Sequence, residues 1–306
     1  MRYLITGGNS FIGVSLCKRL LTEGHEVVVV CRKTSSCLLK ESEHVRIVRY
    51  SDLSDMRSLT GQVDYADVFV HLAWGGTSHE GRDNRELQEE NIRCSMDALD
   101  VAGHIGSQLF VEAGSQAEYG FVNGPITEET PCHPENEYGK AKLRFGELAE
   151  DYCAHNGMKF IHLRIVSVFG ETDHPGTLVM SCIRKMLNNE DVQLSACQQL
   201  WNFVDVEDAV MQIYLLTQYA LGFKDFKSEI YLIASRDTRK LRSFVEEMRI
   251  LTHTKSTLRF GEYTPANVVT LDPVMDKTAE ATNGFIASKT FGDVIKQIIT
   301  EYTHSK

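Results

Sequence analysis

The sequence has no long apolar run, no paired cysteines of the metal-binding kind and no concentration of positive charge. No stretch reaches the roughly 18 consecutive apolar residues that a membrane helix needs, so no membrane partner is expected. The eight cysteines, at 17, 31, 37, 94, 132, 153, 182 and 197, contain no CxxC pair and no zinc-type spacing. They read as reduced thiols, and the eleven dispersed histidines add no ligand set, so no metal is expected. With 32 Lys and Arg against 42 Asp and Glu, the net charge is −10. Non-specific nucleic-acid binding rests on clustered cations, so no nucleic-acid partner is expected either. The chain runs from Met1 into a strand with no basic stretch or cleavage site, which reads as a cytoplasmic protein. Internal repeats and low-complexity tracts are also lacking.

What is present is rhythm. Short β-type runs occur at 3–6 (YLIT), 26–31 (EVVVVC), 45–49 (VRIVR), 68–73 (VFVHLA), 109–114 (LFVEAG) and 160–165 (FIHLRI). Helical patterns near 11–23, 84–104 and 137–156 separate them. Strands joined by helix-length crossovers predict an α/β fold, a doubly wound parallel sheet covered on both faces. After about 170 the rhythm weakens, leaving helices near 206–220, 240–252 and 290–303 and a strand at 229–235 (EIYLIAS). At 306 residues a large domain with a smaller one is expected. The division reads as 1–170 with returning segments near 203–235, and a smaller C-terminal α/β lobe over about 171–202 and 236–306. Ligands of open α/β sheets bind beyond the carboxyl ends of the strands, so the cleft between the two parts is the expected site.

The first strand runs into TGGNSFIG and then an amphipathic helix closed by Gly24. Backbone N–H groups and the helix N-terminus would converge there on a pyrophosphate. Gly7 permits the sharp turn and Gly13 lets helix and strand approach. Ser10 stands where a second glycine is usual, and its hydroxyl can donate to phosphate if its φ stays in an allowed region. A glycine-rich connection without ligand fits the same residues. At the end of the second strand, Cys31, Arg32 and Lys33 replace the acid that bonds a ribose 2′-hydroxyl, and cations there suit a 2′-phosphate. NADP is therefore favoured over NAD, with solvated surface charges as the plainer reading.

In ENEYGKAKLRFGELAEDY, Tyr138 and Lys142 are spaced i,i+4 on one helical face, while Lys140 points away. A phenol titrates near 10 unless a cation stabilises the phenolate. Beside Lys142 and an oxidised nicotinamide, Tyr138 can exchange a proton with a carbonyl or alcohol while hydride moves. Spacing alone is weak, because Tyr302 and Lys306 repeat it at the C-terminus. Position separates the two pairs: Tyr138 opens the helix after the fifth strand, and Ser115 lies at that strand's carboxyl edge, placed to bond the same substrate oxygen or to cap a turn.

TGGNSFIG, AGSQAEYG, YGKAK, LRIVSVFG and WNFVDVEDAV, in that order, resemble the extended short-chain dehydrogenase/reductase family over essentially the whole chain. Within it the chain is similar to the nucleotide-sugar branch of UDP-galactose 4-epimerase. The resemblance implies a Rossmann domain with a small substrate domain. It places Gly7, Ser10, Phe11, Ile12 and Gly13 at the pyrophosphate, Asp52 and Leu53 beside the adenine, and Leu72 and Ala73 on the nicotinamide side. Ser115, Tyr138 and Lys142 match its catalytic Ser/Thr, Tyr and Lys. The helices near 84–104 and 137–156 match its four-helix dimer interface, so a homodimer is implied.

The departures also carry information. Cys31 and Arg32 replace the aspartate of the NAD-bound epimerases. Gln116 and Ala117 follow Ser115 where dehydratases carry an Asp-Glu pair, which argues against dehydration. Ser167 stands where many members have Asn, and Trp201 where many have an Arg on the nucleotide diphosphate; indole cannot supply that charge but can stack on a base or sugar. HLAWGGTSHEGRDNRE, with Trp74, reads as a lid over the substrate or as a polar surface loop. Three functions follow: an NADP(H)-dependent sugar oxidoreductase reducing a 4-keto group, a nucleotide-sugar 4-epimerase retaining NAD, and a catalytically silent NADP-binding regulator.

Overall fold

The computed structural model describes residues 1–264 and 269–304. In chain order the strands are β1 (Arg2–Thr6), β2 (Glu26–Arg32), β3 (Val45–Tyr50), β4 (Val68–His71), β5 (Leu109–Ser115), β6 (Lys159–Ile165), β7 (Ser167–Phe169), β8 (Val192–Leu194), β9 (Leu200–Asp205), β10 (Ser228–Ile233), β11 (Thr238–Lys240) and β12 (Leu258–Phe260). The helices are α1 (Phe11–Thr22), α2 (His79–Arg82), α3 (Arg85–His104), α4 (Glu137–Asn156), α5 (Leu178–Leu187), α6 (Val206–Gly222), α7 (Leu241–Thr252), α8 (Asp276–Ala281) and α9 (Phe291–His304). Seven strands form one parallel sheet in the order β10-β6-β5-β4-β1-β2-β3. This is the doubly wound, Rossmann-type arrangement expected.

The continuous apolar strands follow from burial on both faces. Tyr3, Ile5, Val27, Val29, Val68, Val70, Leu109 and Val111 face α1 and α6. Their alternates Leu4, Val28, Val30, Phe69, Phe110 and Phe160 face α3 and α4. A strand's period of two divides one run between two cores. The outward path reverses between β1 and β4, and β1 meets the glycine turn there. Gly7 takes φ +67°, and a Cβ on it would lie 2.9 Å from the Ala73 backbone nitrogen. That close crossing is also why β4 ends at His71, short of the expected residue 73, with Leu72 and Ala73 passing over the turn.

Beyond β6 the chain leaves this sheet after a single residue, Val166, and enters a three-stranded sheet ordered β11-β9-β7. A two-stranded pair, β12 with β8, flanks it. Helices α5, α7 and α9 close a separate apolar cluster around Phe169, Phe203, Phe244 and Phe291. The strand expected at 229–235 is β10, and it extends the main sheet alongside β6.

Gly13 sits where α1 crosses the turn, and a Cβ there would collide with the Gly7 carbonyl oxygen and approach Gly8 Cα to 2.9 Å. Gly13→Ala is expected to destabilise the protein by about 1–3 kcal/mol through overpacking; a urea midpoint equal to wild type would contradict this close approach.

Candidate active site

The carboxyl ends of β1, β4, β5 and β6 open onto two adjoining cavities. The smaller, of about 380 Å³, is walled by Gly7, Asn9, Ser10, Cys31, Arg32, Tyr50, Leu53 and the 72–76 backbone. The larger, of about 600 Å³, is walled by Ser10, Phe11, Ile12, Ser115, Tyr138, Lys142 and residues of the smaller lobe. Ser10, Leu72 and Trp74 border both.

Ser10 is the N-cap of α1 at φ −79°, an ordinary extended conformation, and its Oγ accepts from the Gly13 N–H at 3.1 Å. The capping bond uses a lone pair, so the hydroxyl proton stays free to donate outward. Gly7 and Gly13 leave a cradle that side chains would fill. With a helix N-terminus aimed at it, the turn fits the pyrophosphate of a dinucleotide. Arg32 is exposed on the wall of the smaller cavity, and Arg49 pairs with Cys31 across β2 and β3 and donates to the Ser35 carbonyl at 2.9 Å. Lys33 reaches Ser51 instead. Asp52 caps the next turn, accepting from the Ser54 N–H at 2.9 Å, so Leu53 rather than that carboxylate faces the cavity.

Tyr138 and Lys142 stand on the first turns of α4, whose N-cap Asn136 accepts from the Gly139 N–H. Both side chains are buried against β5, and Lys140 points outward to Glu137. Burial pushes the Tyr138 phenol up, and Ser115 and the Arg82 guanidinium, 5.1 Å from the ring centre, oppose that rise. Ser115 ends β5. Its Oγ accepts from the Ala117 N–H at 3.1 Å, so it caps a turn and keeps its own proton to donate. The turn-capping reading of this serine therefore holds, and the cap leaves its hydroxyl proton unspent. Lys142 Nζ donates to the Ala113 carbonyl at 2.7 Å and lies 3.5 Å from the centre of the Trp74 ring. Burial brings its ammonium down to about 8, against the pull of Glu112 and Glu118. Lys306, of the C-terminal pair, lies outside the described residues.

Beneath these residues runs a chain of buried charges. Glu112 accepts from His162 Nδ1 at 2.5 Å, and His162 Nε2 meets Glu118 at 2.8 Å. Glu118 also accepts from Arg164 Nε at 2.9 Å and from the Ser115 N–H at 2.6 Å. All four side chains are at most 5% exposed. Burial lowers the His162 imidazolium, but Glu118 and Glu112 outweigh it and hold the ring up to about 10. Gly114 and Gly146 make room for that ring: a Cβ on either would lie within 2.7 Å of it. By contrast His71 is a neutral core histidine, held by Thr6 and Ser95, with its imidazolium driven down to about 3 by burial and by Lys142.

The far wall of the larger cavity comes in part from the three-stranded sheet, through β7 and β9. Ser167 and Trp201 line it, and the Trp201 Nε1–H is buried without a hydrogen-bond partner among the described residues. Trp74 donates to Gln88 at 2.8 Å, and Arg82 and Thr77 reach the cavity from the loop that follows β4. That loop is anchored by Asn91, which bonds both polar groups of the Gly75 backbone, so part of it is a wall of the cavity. Sequence reasoning missed Arg82, Asp173, Thr177 and the Glu112–His162–Glu118–Arg164 chain. The signal for the last was available: Glu112 interrupts the apolar run of β5, His162 and Arg164 interrupt that of β6, and Glu118 follows β5 directly.

A family model described as "NAD dependent epimerase/dehydratase family" matches residues 3–234. The dTDP-6-deoxy-L-talose 4-dehydrogenase (NAD(+)) of Aggregatibacter actinomycetemcomitans is 29% identical over 258 residues, covering 81% of this chain and 89% of that protein. A CDP-abequose synthase of Salmonella muenchen is 22% identical, covering 85% of this chain and 84% of that one. The solved structure of MoeE5 in complex with UDP-glucuronic acid and NAD shares the fold at a TM-score of 0.84, with 22% identity and full coverage of both chains.

The His162 environment has a measurable consequence. Its folded value of about 10 stands above the ordinary 6.5, so its contribution to stability is full below pH 6.5 and is lost as pH rises through 10. The stability difference between wild type and His162→Asn is expected to shrink steadily over that window when urea midpoints are compared; a constant difference would mean the ring is not charged.

Proposed function

The chain belongs to the NAD dependent epimerase/dehydratase family, and we propose that it is an NADP(H)-linked oxidoreductase that reduces the 4-keto group of a nucleotide-activated deoxysugar. The convergence of Ser115, Tyr138 and Lys142 on one wall of the larger cavity supports redox chemistry, and Arg32 on the wall of the smaller cavity, in place of the acid of the NAD-bound epimerases, carries the choice of reductase. Gln116 and Ala117 directly after Ser115, where dehydratases of the resembled family carry an Asp-Glu pair, argue against dehydration. The relative named for 4-dehydrogenation of a dTDP-6-deoxy sugar supports redox chemistry at that carbon.

When bound, the nicotinamide supplies or accepts a hydride. In the reductive direction the Ser115 hydroxyl donates to the substrate carbonyl oxygen and orients it. Tyr138 passes its phenolic proton to that oxygen as negative charge develops, and the Lys142 ammonium stabilises the phenolate left behind. Arg32, in the place of the usual acid and joined by Arg49, is the group that would hold a 2′-phosphate. The relatives' names print NAD; Arg32 and Cys31 are what turn the reading of this chain to NADP. On the substrate side Trp201 offers a stacking face and Arg82 a cation beside Tyr138. The expected homodimer rests on the resemblance alone, and the outer faces of α3 and α4 carry ion pairs such as Arg85–Glu89 and Lys140–Glu137. A 4-epimerase would use the same three residues and carry NAD through purification.

Calorimetric titration with NADPH and NADH tests the cofactor. Arg32→Ala is expected to weaken NADPH about tenfold or more, the loss of a charge-assisted pair, and to leave NADH within about twofold. Equal affinities in wild type, or NAD found already bound, would put the epimerase first. Tyr138→Phe is expected to lower kcat on 4-keto sugars about 10²- to 10⁴-fold; an unchanged phenotype in the organism would favour the silent regulator.

A further inference from the structure

We infer that Glu112 is a positioning residue that holds the Lys142 ammonium in place and keeps it cationic for Tyr138. The inference rests on the roles proposed above for Tyr138 and Lys142. It begins with an oxygen. Glu112 is fully buried; one carboxylate oxygen accepts from His162, and the other makes no hydrogen bond among the described residues and lies 3.6 Å from Lys142 Nζ. A bare carboxylate oxygen in the core is unfavourable unless a cation answers it. Lys142 is that cation, and it too is buried, fixed by the Ala113 carbonyl and the face of Trp74.

Of the other groups facing Lys142, Glu118 pulls in the same direction but less strongly than Glu112, and the rest supply no negative charge. On β4, His71 is neutral and satisfied by Thr6 and Ser95. After β5, Glu118 is occupied by His162, Arg164 and the Ser115 N–H. On α4 itself, Tyr138 is the group to be served. Trp74 offers only its ring. With His162 and Arg164 charged, Glu112, His162, Glu118 and Arg164 sum to zero, so the pairing with Lys142 depends on which atoms face each other. His162 holds Glu112 from behind and turns the free oxygen toward Nζ, while Glu118 holds the Ser115 backbone. One buried chain thereby positions two of the three proposed catalytic residues.

The chain contains two tryptophans, so a Trp201→Phe background leaves Trp74 as the only indole, with Lys142 Nζ 3.5 Å from its ring. Trp74 emission followed from pH 6 to 10 in the unliganded protein is expected to report Lys142 ionisation with a midpoint near 8, and Lys142→Met should abolish the transition. Glu112→Gln is expected to lower the midpoint by about one unit or more, the loss of a facing charge. Glu112→Asp, which keeps the charge but withdraws it, should fall between and serves if the glutamine variant does not fold. A midpoint unmoved in either folded variant overturns the inference, whatever happens to thermal stability. No substrate or cofactor enters this measurement, so failure of the reductase reading would show separately, as absence of turnover by a protein whose Trp74 titration is intact.

Discussion

The structure depends on one constraint: a parallel sheet can be stable here only if both its faces are buried. The central strands, nearly continuous in apolar sequence, satisfy it, with α1 and α6 closing one side and α3 and α4 the other. Because every strand points the same way, the loops that can carry chemistry collect at one edge. The glycine turn after β1, the Arg32 corner after β2, the loop after β4 and Ser115 after β5 are neighbours for this reason alone. The departure of β6 into the small sheet after Val166 then brings Ser167 and, through β9, Trp201 across that edge.

Within that scaffold the electrostatics are unusual in depth. Charge is normally kept out of a parallel-sheet core unless it is paired. Here Glu112, Glu118, His162 and Arg164 alternate in sign through direct hydrogen bonds, and the cost of burying them is offset pair by pair. Their neighbourhood sets the character of the site above: a lysine brought down toward neutral pH and a tyrosine whose phenol burial holds up until a cation and a hydrogen-bond donor act on it.

Much of this was legible in the residues. The β1 turn, β2, β5 and much of β6 could be read because buried parallel strands leave nearly continuous apolar runs, and α4 because Tyr138 and Lys142 mark its start and its inner face. Ser115 was legible by its place at a strand end. The segment from 167 to 205 was not, because three-residue strands such as β7 and β8 are too short for periodicity to register. Arg82 was hidden in a polar loop whose course depends on Asn91, a residue on the following helix. The buried charges were visible as letters but not as a network, since the sequence alone does not say that residues 112, 118, 162 and 164 share one interior.

The separations within that network bear on how the molecule forms. Glu112 and His162 lie 50 residues apart, and Glu118 and Arg164 lie 46 apart. Until β5 and β6 have paired and α4 has docked, each of these groups is better served by water than by its eventual partner. Desolvating these charges before their partners are in place costs more than it returns, so the hydrogen bonds of the ionic chain require the pairing of β5 with β6. Interactions absent from the transition state govern the rate of unfolding more than the rate of folding. A polar interior that closes only on finished β-pairing in this way bears more on the lifetime of the folded protein than on how quickly it is reached.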